Sequence, residues 1–493
     1  MDFLALMTHL PPNHFLALPR PDHGLAVVGT PDTSTLAAHD FDVDTRTGFM
    51  PPQPPLTRLP KEWESWEALL DHALSSRLQL GDKQGVSDHD KTLSEGWRKR
   101  VRELPVLPMA GLKRSELLLR RAHHVLAWIM HFYVHSIPSS VPDIRIPPPV
   151  SVPLLQVSDQ LQLPPVLTYS DDVLYNWAYK EPPAPSFPIR PPALDNLRCN
   201  TLFTGTRDEE EFYLASARIE LRGVEALSLM RAMMDEAFLG DATAILRITT
   251  YLRGLARVID ELTTILAAVR DGCDPQVFYN EIRPWFRGAD SEPSRKWVFE
   301  GLEFYPELQE PTELSGPSAG QSSLIHSLDI FLGVDQYSHT NFLAKNVPAA
   351  PPVATADGTA FESSTAAPTT TFSSVPGVVG IPFLTRMQSY MPRHHRAFLR
   401  HLSATPRPLR VLVESAGDAA LLEAYNTAVS ALKVFRDAHV RIVALYILGP
   451  SKRAGGANKG PAKGTGGTDA FKFVQGVRDQ TAGALLRVPA SDV

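Results

Sequence analysis

Sulfur ligands are nearly absent from this chain: 493 residues include two cysteines, Cys199 and Cys273, with no CxxC and no CxxCH. That argues against structural zinc, an iron–sulfur cluster or a covalently attached haem. Long apolar runs are missing too. A membrane helix needs roughly 18–20 apolar residues, and the longest candidate, Val125 to Ile137, is interrupted by His131 and His135. The opening MDFLALMTHLPP has no basic stretch and is broken by His9 and two prolines, unlike a secretory signal. Positive charge is not in excess, since 48 Lys and Arg against 54 Asp and Glu leave −6, which argues against a general nucleic-acid binder. A P-loop motif, GxxxxGK[ST], does not occur. The Gly/Lys-rich stretch Ser451 to Asp469, ending in KGTGGTD, has no strand before it and reads as a mobile loop of the kind that closes over a ligand. The expected setting is soluble, reducing and cytoplasmic, with neither membrane nor nucleic acid as partner.

What remains is an ordinary globular balance, 43% apolar and 21% charged, long enough for several cores. Residues 1 to about 60 are proline-rich and predict an irregular arm packed on the segments C-terminal to it. Lys61 to Ser75 and Leu112 to His135 repeat apolar residues at helical spacing. Within the second, His123 and His124 are adjacent, about 100° apart on a helix, so they cannot share a face. Pro147 to Pro153 is expected to be extended, with a short helix over Leu154 to Leu163 and another starting near Ser170. Glu181 to Pro192, dense in proline, is the best inter-domain linker and divides 1–192 from 193–493. After it, Thr206 and Glu209 form a capping box on a helix through Phe212, Ser216, Ile219 and Ala226, and Ala242 to Val269 is a longer helix. Asp274-Pro275 opens a helix over Gln276 to Arg283 that Pro284 bends or ends. Gly316 to Ser323, GPSAGQSS, is a turn into a helix over Leu324 to Leu332. Val347 to Pro376 lacks Lys and Arg and reads as a disordered loop insertion. Helix returns over Pro382 to Leu402.

The most informative stretch is Ser415 to Leu448. Leu421, Tyr425, Ala428, Leu432, Phe435, His439, Ile442 and Tyr446 alternate steps of four and three, which is one face of a helix. Ser415 is the expected N-cap, with Gly449-Pro450 as a stop. His439 alone on that face is polar. Two readings stand: a hydrogen-bonded core histidine, or an axial ligand to haem in an apolar slot between helices. His123 and His124 compete for the second role on composition alone.

Other residues point to a ligand site with the same ambiguity. Tyr279 and Arg283, four apart, share a helix face with Phe278 at its edge. A cation beside aromatics suits an amphipathic carboxylate, although a surface arginine would look alike. Ser216 lies one turn after Phe212, and GPSAGQSS offers small side chains for a close approach. Asp329 is a candidate partner for Arg436, bracing the helix of His439.

Taken in order, LPPVLTYSDDVLYNW, EEEFYLASARIELRG, CDPQVFYNEIRPWFRG, GPSAGQSS, YMPRHHRAFLRHL, FRDAHVRIVALYIL and KGTGGTD resemble the indoleamine 2,3-dioxygenase family. The resemblance runs from about Pro147 to Val477, outside the 347–376 insertion. It implies an all-α fold with a small N-terminal helical domain and a large C-terminal one enclosing haem b. His439 then matches the proximal iron ligand, Phe278 and Arg283 the residues that stack on the indole and bind the substrate carboxylate, and Ser216 a serine near dioxygen and the substrate amine. Tyr169 and Val173 match the deep wall, Tyr279 flanks Arg283, Ser318 and Ala319 match the edge over the haem, and Thr465 matches the closing loop. Asp329 and Arg436 support the ligand helix. The implied reaction joins O2 to L-tryptophan, giving N-formylkynurenine, with a cellular reductant keeping the iron ferrous and the chain a monomer. Pro317, where many members carry glycine, should stiffen its turn, and Asp172 puts an acid in the segment that walls the pocket. A haem-binding sensor and a cofactor-free helical interaction protein are the competing classes.

Overall fold

Five of the longer helices in this chain begin where a short polar side chain accepts an otherwise orphaned amide hydrogen. The computed structural model describes residues 41–183, 191–292, 294–337, 383–404, 408–453 and 470–487. Its longer helices are α1 (Glu64–Ser75), α2 (Asp88–Glu103), α3 (Glu116–His135), α4 (Pro148–Leu161), α5 (Arg207–Arg222) and α6 (Val224–Leu239). After these come α7 (Ala242–Ala268), α8 (Ser323–Phe331), α9 (Arg393–Ala404), α10 (Pro408–Ser415), α11 (Ala419–Val443) and α12 (Ala470–Gly483). Ser87, Thr206, Asp241, Ser322 and Asp418 cap α2, α5, α7, α8 and α11 with their side chains. Sheet structure among the described residues is limited to two short pairs. β1 (Asp143–Ile146) runs parallel to β4 (Lys296–Phe299), and β2 (Trp177–Tyr179) runs antiparallel to β3 (Leu197–Cys199). The fold is all-α.

Several local expectations are corrected. Prolines 148 and 149 start α4 rather than preceding it, because a first-turn residue needs no amide hydrogen; Pro153 lies inside the helix. Ser170 opens only a single π turn, Ser170–Leu174. The cap of α11 is Asp418, which accepts from the Leu421 amide at 2.8 Å. Ser415 instead ends α10 and turns its hydroxyl back to the Val411 carbonyl at 2.8 Å. Gly449-Pro450 does not stop the chain's helical course: α11 passes through a π turn, Ala444–Leu448, into Gly449–Arg453, where Pro450 sits in a first turn. Pro382 to Leu402 is broken before α9, since Met391 precedes Pro392 and is extended. Glu209 does not reach back to its cap. It accepts instead from the amides of Phe203 and Thr204, at 2.7 and 2.6 Å.

β2 and β3 hold together the two ends of the proline-rich linker segment, of which 184–190 lie outside the described residues. The same is true of residues 1–40 of the arm, the 347–376 insertion, and 454–469 with Thr465. Residues 42–60 form no helix or strand beyond an isolated bridge between Asp44 and Gly48, and they bury Phe49 and Met50.

Two apolar cores form. One gathers Trp63, Trp66, Trp97, Trp128 and Phe132 with Phe203, Tyr213, Trp285 and Trp297. The other packs α6, α7 and α8 against α11 through Leu252, Ile259, Leu324, Leu328, Tyr425 and Leu432. Each large side chain buried there contributes ~1.5–3 kcal/mol. α11 lies along α7 and crosses from one core to the other: Leu421 to Phe435 belong to the second, whereas Ile442, Tyr446 and Ile447 pack on the first. His439 sits at the crossing.

Candidate active site

At that crossing the helices leave a cavity of about 180 Å³ that opens to solvent. Its walls come from the Ser170–Leu174 turn with Tyr169, from α5, from the Phe278–Phe286 segment, from the 317–320 turn, and from the ends of α11 and α12. The sequence brings these together by identifiable means. Asp274 accepts the amides of Gln276 and Val277 and starts a helical turn that widens into a π turn over Phe278–Ile282, then tightens to a 3₁₀ turn over Arg283–Phe286. That change of winding places Phe278, Arg283 and Phe286 on the wall. Phe278 lies 4.4 Å from Phe212 and 5.4 Å from Tyr446, centroid to centroid, so three wall segments meet at its ring.

The 317–320 turn reaches this wall because Gly288 and Gly316 let two backbones touch. A Cβ on Gly316 would lie 2.1 Å from the Phe286 carbonyl, and one on Gly288 2.0 Å from that of Leu314. Gln321 then ties the turn to the opposite wall, donating to Gly316 O at 2.9 Å and accepting from the Tyr169 amide at 2.8 Å. The histidines of α3 brace both walls from behind. His131 bonds to the Trp285 carbonyl at 2.8 Å and to the Leu167 amide at 3.2 Å, and His135 bonds to the Arg287 carbonyl at 2.9 Å.

Of the residues singled out in the sequence, His439, Ser216, Phe278, Arg283, Tyr169, Val173, Ser318 and Ala319 all line the one cavity, as do Asp172 and Pro317. Tyr279 does not: its ring takes the Arg283 guanidinium at 5.6 Å from its centroid and stays off the wall. Thr465 lies outside the described residues. Asp329 and Arg436 form a buried ion pair with Nη2–O distances of 2.5 and 2.6 Å. Sequence reasoning passed over Tyr213, Phe286, Phe473 and Val474 on the wall. Phe286 lies three residues after Arg283 and was within reach of the same argument; Phe473 and Val474 belong to a helix that no strong periodicity announced.

The electrostatics separate the histidines. Burial, with Arg436 adding to it, pushes His439 down to about 4, so its imidazole is neutral, and among the described residues its ring makes no hydrogen bond. His123 and His124 are both committed elsewhere: His123 to Asp171 at 2.8 Å and Pro164 O at 3.1 Å, His124 to Thr201 at 2.8 Å. Neither touches the cavity. Both cysteines are buried away from it, and burial raises both thiols, Cys273 to about 12. Burial, helped by Arg287, lowers Arg283 only to about 10, so it remains a cation in an apolar wall.

A neutral imidazole without a hydrogen-bond partner among the described residues and a buried cation thus line one largely aromatic cavity in a helical protein. The sequence model of the indoleamine 2,3-dioxygenase family matches residues 37–484. Indoleamine 2,3-dioxygenase of Saccharomyces cerevisiae is 32% identical, over 90% of this chain and 92% of its own. Indoleamine 2,3-dioxygenase 1 of Mus musculus is 29% identical, over 94% and 100%. The 6-hydroxytryptophan 2,3-dioxygenase of Fusarium equiseti is 28% identical, over 90% and 97%. The chain belongs to the indoleamine 2,3-dioxygenase family, whose members are haem-dependent dioxygenases acting on tryptophan-type substrates with O2. Among the described residues no helix is long and apolar enough to cross a membrane.

Proposed function

We propose that this chain inserts both atoms of O2 across the indole C2–C3 bond of L-tryptophan, giving N-formylkynurenine, and so opens the kynurenine route. The observation that carries the reading is the placement of His439, Phe278 and Arg283 on one cavity. All atoms of both reactants appear in the product, and the reductant serves only to keep the iron ferrous.

His439 suits the iron of haem b: its imidazole is neutral, unengaged and directed into an apolar slot. When bound, haem supplies the activation of O2. The protein's own groups position and shield. Arg283 grips the substrate carboxylate, its burial making the pair stronger than it would be in water. Phe278, held edge-on by Tyr446 and tilted on Phe212, gives the indole a flat face. Ser216 offers a hydroxyl to the substrate amine, and Ser318 and Ala319 form a small-residue edge of the cavity that would leave room for haem. Tyr169 and Val173 close the deep end. An apolar lining excludes water from the reacting bond.

The test is turnover of L-tryptophan by reconstituted, reduced protein under 18O2. N-formylkynurenine carrying both labelled atoms is the expected product. Intact haem binding with no product would instead make the chain a haem-dependent sensor.

A further inference from the structure

The polar atoms around the cavity are unequally served. Its three tyrosine hydroxyls are committed: Tyr169 donates to Glu220 at 2.9 Å, Tyr213 to Glu209 at 3.2 Å and Tyr446 to the Cys273 carbonyl at 2.6 Å. Asp172 is not. It is 4% exposed, it lines the cavity, and among the described residues its Oδ1 has no hydrogen-bond partner. Its neighbour Asp171 shows the contrast, taking His123 at 2.8 Å and the Thr168 amide and hydroxyl at 2.9 and 2.7 Å. The π turn sends one acid into a satisfied network and the other onto an aromatic wall. A buried polar atom left unpaired is destabilising, and a ligand that supplies its partner recovers that energy. Burial, with Asp171 adding, raises the Asp172 carboxyl well above the usual carboxylate range, which favours its protonated form, an O–H donor with acceptor capacity besides.

The position of Asp172 says which part of a ligand it meets. Its turn packs on α5, and α5 packs in turn on the segment of Phe278 that leads to Arg283. Arg283, Phe278, Phe212 and Asp172 line the same cavity, so a ligand anchored by its carboxylate at Arg283 and lying on Phe278 meets Asp172 where it extends across Phe212. For a tryptophan-type ligand, the end that arrives there is the six-membered ring of the indole. That ring is apolar in tryptophan and would leave Oδ1 unpaired.

We propose that Asp172 selects tryptophans bearing a hydrogen-bonding substituent, above all a hydroxyl group, on the six-membered ring of the indole. This rests on the reading of the cavity as a tryptophan-type site. A ring hydroxyl and a protonated carboxyl can each donate one hydrogen bond to the other, so such a substituent supplies the partner that Oδ1 lacks. Asp172 takes no part in bond making; it is a specificity residue.

The holoenzyme, as wild type, Asp172→Asn and Asp172→Leu, is titrated calorimetrically with L-tryptophan, 5-hydroxytryptophan and 6-hydroxytryptophan, and turnover of each is measured. In the wild type at least one hydroxylated form should bind ~10-fold or more tightly than tryptophan, since a site built around a hydrogen bond rejects the analogue lacking it. Asp172→Asn keeps a donor and an acceptor and should keep the preference, whereas Asp172→Leu should abolish it. An unchanged ratio in Asp172→Leu, or an equal loss for all three ligands, would overturn the proposal, the latter by placing the contact on the part they share. If Asp172→Leu does not fold, the wild-type ratio decides, and tighter binding of plain tryptophan overturns it. Should haem-loaded wild type bind none of the three, the underlying reading of the cavity falls with it; normal turnover of tryptophan without a preference sinks the specificity proposal alone.

Discussion

Asp329 holds Nη2 of Arg436 at 2.5 and 2.6 Å, three residues before His439 on the same helix. Nη1 of the same guanidinium bonds to Thr481 on α12, so α8, α11 and α12 are fixed together at the level of the histidine. Both partners are buried, at 6% and 8% side-chain exposure. Asp329→Ala leaves a buried cation uncompensated, and a loss of ~3–5 kcal/mol in urea unfolding is expected. Haem should also dissociate faster, because α12 supplies Phe473 and Val474 to the wall. An unchanged urea midpoint would show that the pair braces nothing.

Glu220 links the deep wall to α8, accepting from Tyr169 at 2.9 Å and from Ser322 at 2.6 Å. Burial outweighs these bonds and raises it from 4.5 to about 7. The folded value lies above the unfolded one, so its contribution to stability is complete below about 4.5 and is lost as pH rises through about 7. Glu220→Gln should therefore unfold at a more nearly constant denaturant concentration between pH 5.5 and 8.5, removing a wild-type decline of roughly 2 kcal/mol. Parallel pH profiles for the two proteins would rule Glu220 out as the titrating group.

His131 joins both walls through one ring, and burial holds it neutral at about 4. His131→Leu leaves the Leu167 amide and the Trp285 carbonyl unpaired, at ~1–3 kcal/mol each. The thermal midpoint should fall and KM for tryptophan should rise, since Tyr169 and Arg283 are displaced together. A lower midpoint with KM unchanged would confine His131 to folding.

Arg283→Ala should weaken substrate binding by roughly 10–100-fold, the scale of a charged hydrogen bond, while leaving haem affinity near that of wild type. Comparable losses in the two titrations would contradict a role in gripping the carboxylate.

The sequence reveals this site better than it reveals the path of the backbone. The α11 stripe is legible because residues four and three apart must share a face, and His439 breaks an otherwise apolar row. Phe278 and Arg283 are legible from type and context, but the π turn between them is not: a wider winding leaves no mark in composition, and it is what keeps Tyr279 off the wall. Prolines 148 and 149 mislead because the residue equally suits an extended segment and a first helical turn. The roles of His131, Gln321 and Glu220 depend on partners distant in the chain, from 36 to 154 residues for His131, which local spacing cannot reveal.

His439 is the residue proposed to hold haem. Haem titration of wild type and His439→Ala, monitored by absorbance, tests it directly, with free imidazole added afterwards to the variant. A stable Soret band in wild type, its loss in the variant and partial return with imidazole are predicted. An identical band in both proteins would place the iron ligand on another residue.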